Sequence, residues 1–183
     1  MVTDYFFDIE WIEHSGRRAD IISLGIVRAD GREYYSIQAA AMPMWGMVYS
    51  MDPWVAQNIF VHLEEPTKHA GMYRCYGEMM QEVEEFTAHP RNKAKFWCYG
   101  AGYKWFLLCN LFTHHSKIPN NWIDHPFDLQ LWHEWAGLPE LPYLERRHHA
   151  LDEAHWAKEV HTFLTALSGS PEQVFQQGLD VPK

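Results

Sequence analysis

In the stretch YFFDIEW, Asp8 and Glu10 flank Ile9. On a strand, residues two apart project from one face, so these two carboxylates would emerge side by side. Two like charges held together invite a divalent cation. Their apolar flanks sharpen that demand, because acids set among aromatic side chains are costly unless something compensates them. Taken alone, a pair of this spacing is common and reads more readily as an exposed strand edge with two solvated acids. A second cluster lies in HHALDEAHWAKEV, residues 148–160, which reads as the start of a helix carrying His148, Asp152 and Glu153. The two acids are one residue apart, which on a helix is about 100° of rotation, so they aim in different directions. Twelve histidines invite a zinc reading. None shows HExxH or another compact ligand spacing, and a dedicated zinc site is not expected. Asp128, just before Leu129 and Leu131, reads as a helix-start acid rather than a metal ligand.

The elements that must position these groups follow from periodicity. DYFFDIEW, DIISLGIVRA and REYYSIQA are rich in β-branched and aromatic residues, with Ala29-Asp30-Gly31 as a hairpin turn between the last two. Three consecutive antiparallel strands are expected. Tyr76, Met79, Met80, Val83 and Phe86 recur at helical spacing in a segment that His89-Pro90 ends. KAKFWCYG reads as a buried strand, Gly100-Ala101-Gly102 as a turn, and YKWFLLCNLF as a helix apolar nearly all round and so packed inside. DLQLWHEWAG is a shorter helix closed by Gly137. Leu151, Ala154, Ala157, Val160, Leu164 and Leu167 stripe one face of a longer helix ending near Ser168-Gly169. SPEQVFQQG reads as a last helical turn capped by Ser170 with Pro171 at its first position. A mixed sheet with its first three strands antiparallel, covered by helices, is the expected α/β architecture.

The 183 residues suit one domain, with a core at 4–167 and a short helical tail at 168–183. Nine Trp, nine Tyr and ten Phe point to an aromatic-heavy interior or cleft. A formal charge of -9 argues against a broad basic face gripping a long duplex. It leaves room for an enzyme that takes one strand end through metals, since such a site needs carboxylates. Cys75, Cys98 and Cys109 form no CxxC pair and read as buried free thiols in a reducing compartment. MVTDYFF lacks a basic region followed by an apolar run, and no stretch approaches a membrane span, so a soluble cytoplasmic protein is expected.

DIEW on the first strand, WCYGAGYKWFLL in the middle and HHALDEA on the late helix resemble, in order, the three motifs of the DEDDh 3'-5' exonucleases of the ribonuclease H-like superfamily. The nearest branch is the small exoribonuclease-like family of mycobacteria and phages. The resemblance covers about residues 4 to 39 and 94 to 161. It implies hydrolysis assisted by Mg²⁺ or Mn²⁺ at the 3' end of short single-stranded RNA or DNA, with that strand end or a nucleotide as the bound partner. Matched position by position, Asp8 would bridge two metals, Glu10 would hold the first and orient the terminal nucleotide, and His148 would deprotonate the attacking water. Trp11 and Tyr103 could stack on terminal bases, and Arg147, with Arg146, could meet a phosphate. Core packing and solvated surface charge are the plain alternatives. The resemblance also raises pairing as a homodimer.

Two positions depart from the pattern. The second motif carries an aspartate where this chain has Lys104, and the third has an aspartate where this chain has Glu153. A protonated lysine cannot ligate a cation. Its ammonium would either replace part of the second metal's charge, leaving a single ion bound, or reach solvent and leave a gap. Glu153 retains the charge with one methylene more reach, which suits Mn²⁺ better than the strictly octahedral Mg²⁺. Reduced or altered exonuclease activity is one expectation. A degenerate fold that binds nucleic acid, a nucleotide or a protein partner without hydrolysis is the other.

Overall fold

The structure, a computed structural model, describes residues 1–14, 18–39, 52–63, 70–113, 117–138 and 140–171. Strands β1 (Val2–His14), β2 (Arg18–Arg28) and β3 (Glu33–Gln38) come first, followed by helix α1 (Pro53–Asn58), strand β4 (Tyr73–Arg74) and helix α2 (Tyr76–Thr87). Strand β5 (Lys93–Cys98), helix α3 (Ala101–Asn110), strand β6 (Phe127–Asp128), helix α4 (Leu129–Ala136) and helix α5 (Ala150–Ser168) complete the order. The strands form one sheet in the order β4-β3-β2-β1-β5-β6. β1 and β3 run antiparallel to β2, whereas β5 joins β1, and β6 joins β5, in parallel. The mixed sheet with three leading antiparallel strands is the one that the residue pattern predicts.

Alternation along β1 sorts the helices to the two faces. Tyr5, Phe7 and Ile9 point toward α2 and α3 and pack with Met79, Val83, Leu107 and Leu108. Phe6 points the other way and packs with Trp97, with Trp132 of α4 and with Ala157 and Val160 of α5. Asp8 and Glu10 share the parity of Phe6, so they belong to the face that α5 covers. Further along, Ile12, Ile22 and Ile37 close over Val55 and Ala56 of α1.

Two expectations change, and a third falls largely outside the described residues. YKWFLLCNLF is not packed all round: its helix begins earlier, at Ala101, and leaves Tyr103 and Phe106 exposed, because only one side of α3 faces the sheet. The buried-thiol expectation holds for Cys98, whereas Cys109 is half-buried and Cys75 is exposed at the start of α2. The capping reading of Ser170-Pro171 concerns a turn that lies almost wholly outside the described residues.

Gly25 sits mid-strand, paired with Asp8 across β1 and β2. A Cβ there would lie 2.4 Å from the backbone oxygen of Ala150 and 2.5 Å from Cα of Leu151. The first turn of α5 therefore rests directly on the strand, which only glycine permits. That contact sets the height of α5 above Asp8 and Glu10. Gly25→Ala must push backbone against backbone and is expected to cost about 1–3 kcal/mol of unfolding free energy. Urea denaturation of the two proteins checks this, and equal midpoints with equal slopes would show that α5 is not seated this way.

Candidate active site

Pairing of β1 with β5 runs from Val2↔Lys93 to Phe6↔Trp97, so Asp8 and Glu10 lie past the end of that ladder. Both are nearly buried, at 3% and 6% exposure. A register shift between Glu10 and Trp11 then re-aims β1, pairing Glu10 with Ser23 and Trp11 with Ile21.

α3 starts where β5 stops. Gly100 takes the left-handed φ of 66° that the strand-to-helix turn requires. Asp128 secures that start: its Oδ2 accepts the Ala101 N–H at 2.8 Å, and its Oδ1 accepts the Gly100 N–H at 3.3 Å. The same Oδ1 accepts the N–H groups of Gln130 and Leu131 and caps α4. One carboxylate thus sets the origin of two helices, and with it the reach of Lys104.

Lys104 turns inward. Its ammonium is ion-paired and hydrogen-bonded to Asp8 Oδ1, lies 3.9 Å from Glu153 Oε2, and donates to the Tyr99 carbonyl at 3.5 Å. Burial disfavours the Lys104 charge, but the adjoining Asp8 carboxylate more than offsets this, and the ammonium is held well above the ordinary lysine range. The reading in which Lys104 reaches solvent is overturned. Burial pushes the Asp8 carboxyl up to about 7 against the opposing pull of Lys104. Burial, and then the neighbouring Asp8, push Glu10 up to about 8. Among the described residues, Asp8 Oδ2 is buried without a hydrogen-bond partner.

α5 delivers the third side. Glu153 folds back so that its Oε1 accepts the His148 N–H at 2.7 Å. That bond holds His148 at a φ of 61°, uncommon for a residue with a side chain. The His148 ring meets Trp54 of α1 edge to face at 5.1 Å. His149 is the buried N-cap of α5: its Nδ1 accepts the Asp152 N–H at 3.3 Å, and its ring lies 4.9 Å from Tyr35. Asp152 faces elsewhere, paired with Arg146 at 2.6 Å.

These groups line a cleft of about 390 Å³ that includes Glu10, Trp11, Trp54, Lys104, His148 and Glu153. Ligand atoms of Glu10, His148 and Glu153 all lie within 4.8 Å of one another, a spacing that suits one cation. On the Asp8 side the Lys104 ammonium already supplies a positive charge, so among the described residues the donors that fit a divalent ion are those of Glu10, His148 and Glu153. Tyr103 stands against Trp11 at 5.6 Å but outside the cleft lining, and Tyr99 packs on Trp156 at 5.0 Å. Arg147 is exposed and does not line the cleft. Sequence reasoning missed Trp54, although Asp52-Pro53 before it is a helix start, with Asp52 accepting the Trp54 and Val55 N–H groups at 3.0 and 3.1 Å.

A mixed sheet of this order, with acids on its first strand and a late helix that bears Glu153 and is preceded by His148, defines a ribonuclease H-like exonuclease fold. The chain superposes over 97% of its length on E. coli exonuclease I in complex with a dA16 oligonucleotide, at a TM-score of 0.61 and 11% identity. Exonuclease I from Methylocaldum szegediense gives a TM-score of 0.55 at 13% identity over 98% of the chain. Each comparison spans 43% of the larger protein, so the likeness is one of fold alone. Residues 3–165 match the model of the 3'-5' exoribonuclease Rv2179c-like domain, and the chain belongs to that family. It is 29% identical over 153 residues to the 3'-5' exoribonuclease Rv2179c of Mycobacterium tuberculosis H37Rv, covering 82% of this chain and 86% of that one. No helix among the described residues is long and apolar enough to cross a membrane.

The raised Glu10 pKa carries a sign. Between its ordinary 4.5 and about 8, the folded chain keeps a proton that the unfolded chain has released, so stability is greatest on the acid side and falls as pH rises through that window. Urea unfolding with a chelator present is expected to show lower stability at pH 8.5 than at pH 5.5, with a smaller difference in Glu10→Gln. Equal pH slopes in the two proteins would show that Glu10 is not desolvated.

Proposed function

We propose that the chain is a 3'-5' exonuclease of single-stranded RNA, with single-stranded DNA as a weaker substrate, working with one divalent ion and with Lys104 in place of a second. The observation that carries this reading is the grouping of Glu10, His148 and Glu153 opposite the Lys104–Asp8 ion pair. Glu10 and Glu153, with His148 in reach, would hold the ion. When bound there, it would lower the pKa of a water and offset phosphodiester charge. His148, braced by Trp54, takes the proton from the attacking water. Lys104, kept protonated by Asp8, presents a fixed positive charge to the phosphodiester, already oriented before substrate arrives. Trp11 and Trp54 flank the cleft and receive the terminal base by stacking.

Mn²⁺ suits the site better than Mg²⁺, because Glu153 supplies a longer arm than aspartate and Mg²⁺ tolerates displaced oxygens poorly. One ion in place of two lowers the rate relative to a full acid set. The ion pair also supports a second reading, in which the fold binds a strand end without cutting it, since Lys104 occupies Asp8 Oδ1.

A 5'-labelled RNA oligonucleotide with Mn²⁺ separates the two. The natural chain is expected to shorten it stepwise from the 3' end, and His148→Asn to slow this by about 10²–10⁴-fold. Calorimetry is expected to find one Mn²⁺ per chain, none in Glu10→Gln and two in Lys104→Asp. A silent natural chain with an active Lys104→Asp would favour binding without hydrolysis. If neither cuts or binds, the nuclease reading is lost.

A further inference from the structure

The aromatic surface does not stop at the cleft. Trp11, which lines it, meets Tyr103 edge to face at 5.6 Å, and Tyr103 lies nearly parallel to Phe106, at 23° with centroids 5.9 Å apart. Tyr103 and Phe106 are three residues apart on α3, so their rings share a face. They are 39% and 54% exposed, while Leu107 and Leu108 of the same helix are buried against the sheet. The sheet claims one side of α3 and leaves these rings uncovered. Past Phe106 the surface dips into a groove of about 550 Å³ bordered by Cys109, Ile118 and Trp122.

We infer that Trp11, Tyr103 and Phe106 form a stacking track for the bases upstream of the 3' end in single-stranded nucleic acid, an inference that rests on the proposed reading of the cleft. Continuity argues for this occupant. Trp11 belongs to both surfaces, so a strand whose terminal nucleotide sits at Glu10 and His148 meets Tyr103 as the next ring beyond the cleft. Charge argues the same way. A chain of net charge -9 has little means of holding a run of phosphates by lysine and arginine, whereas stacking on ring faces needs no such charge and tolerates any base. Affinity for the upstream segment should therefore depend only shallowly on salt. A second copy of the chain on the same rings would show neither dependence on strand length nor competition by oligonucleotide.

The test uses two RNA probes: a dinucleotide, too short to reach Phe106, and a 5'-fluorescein octamer of adenylate with a phosphorothioate at its last linkage. The full chain is compared with Phe106→Ala and with Phe106→Tyr, which keeps a ring. By fluorescence anisotropy in Mn²⁺, Phe106→Ala is expected to weaken octamer binding about tenfold and Phe106→Tyr to restore it. Dinucleotide turnover should stay within about twofold in all three, and octamer affinity should change little between low and moderate salt. Unchanged octamer affinity in Phe106→Ala overturns the track, as does an equal loss on both probes. A sedimenting dimer that Phe106→Ala dissociates, with octamer affinity intact, assigns the surface to chain pairing and also overturns it. Failure of the cleft reading looks different: no dinucleotide turnover by the natural chain, with ring-dependent octamer binding still present, leaves the track standing without hydrolysis.

Discussion

Three carboxylates, Asp8, Glu10 and Glu153, converge with Lys104 at the end of a strand ladder, in surroundings that exclude most water. Such a cluster is tolerable only if its charge is offset. Lys104 supplies part of that offset from within the chain, pairing with Asp8 and lying near Glu153. The rest falls to protons, which burial holds on Glu10 to about pH 8, or to a cation that displaces them. The acid cluster is thereby preorganised, and Glu153 and His148 bring further donors to its Glu10 side. A metal would have to compete with protons there, which couples ion uptake to pH.

Much of the molecule serves to hold that cluster in register. β1 must outrun β5 so that its acids clear the ladder, and Asp128 must pin the start of α3 so that Lys104 reaches them. Gly25 must stay bare so that α5 lies close enough for Glu153 to face Glu10. Glu153 in turn fixes the left-handed backbone of His148. Each device is a backbone or capping constraint some distance from the reacting groups. Small changes at Asp128 or Gly25 would therefore act on the site through geometry rather than through chemistry.

The glutamate at position 153 shows how a longer side chain can be absorbed. With one methylene more than aspartate, it turns one oxygen back to the N–H of its own helix start and leaves the other toward Lys104. The helix end is satisfied by the same group that serves the cleft. Asp152, one residue earlier, is rotated away and spends its charge on Arg146.

Periodicity made the three leading antiparallel strands, β5 and the main helices legible, because alternating and helical apolar patterns are local and survive in any context, whereas the two-residue strands β4 and β6 carry no such pattern. Strand parity placed Asp8 and Glu10 on one face, whereas His148 and Glu153 were singled out by the motif resemblance, and the fold brings ligand atoms of Glu10, His148 and Glu153 within 4.8 Å of one another. Exposure was harder. α3 reads as apolar all round, yet the sheet covers only one side of it, and nothing local says which side stays bare. Gly25, Trp54 and the second capping role of Asp128 escaped for the same reason: each depends on an element distant in sequence that packs against it. The sequence by itself determined which chemical groups are present and how they are phased along their own elements. Only the tertiary structure decided that Lys104 turns inward to Asp8 rather than outward to water, because that choice is set by where α3 begins relative to β1, and a carboxylate 24 residues beyond Lys104 sets it.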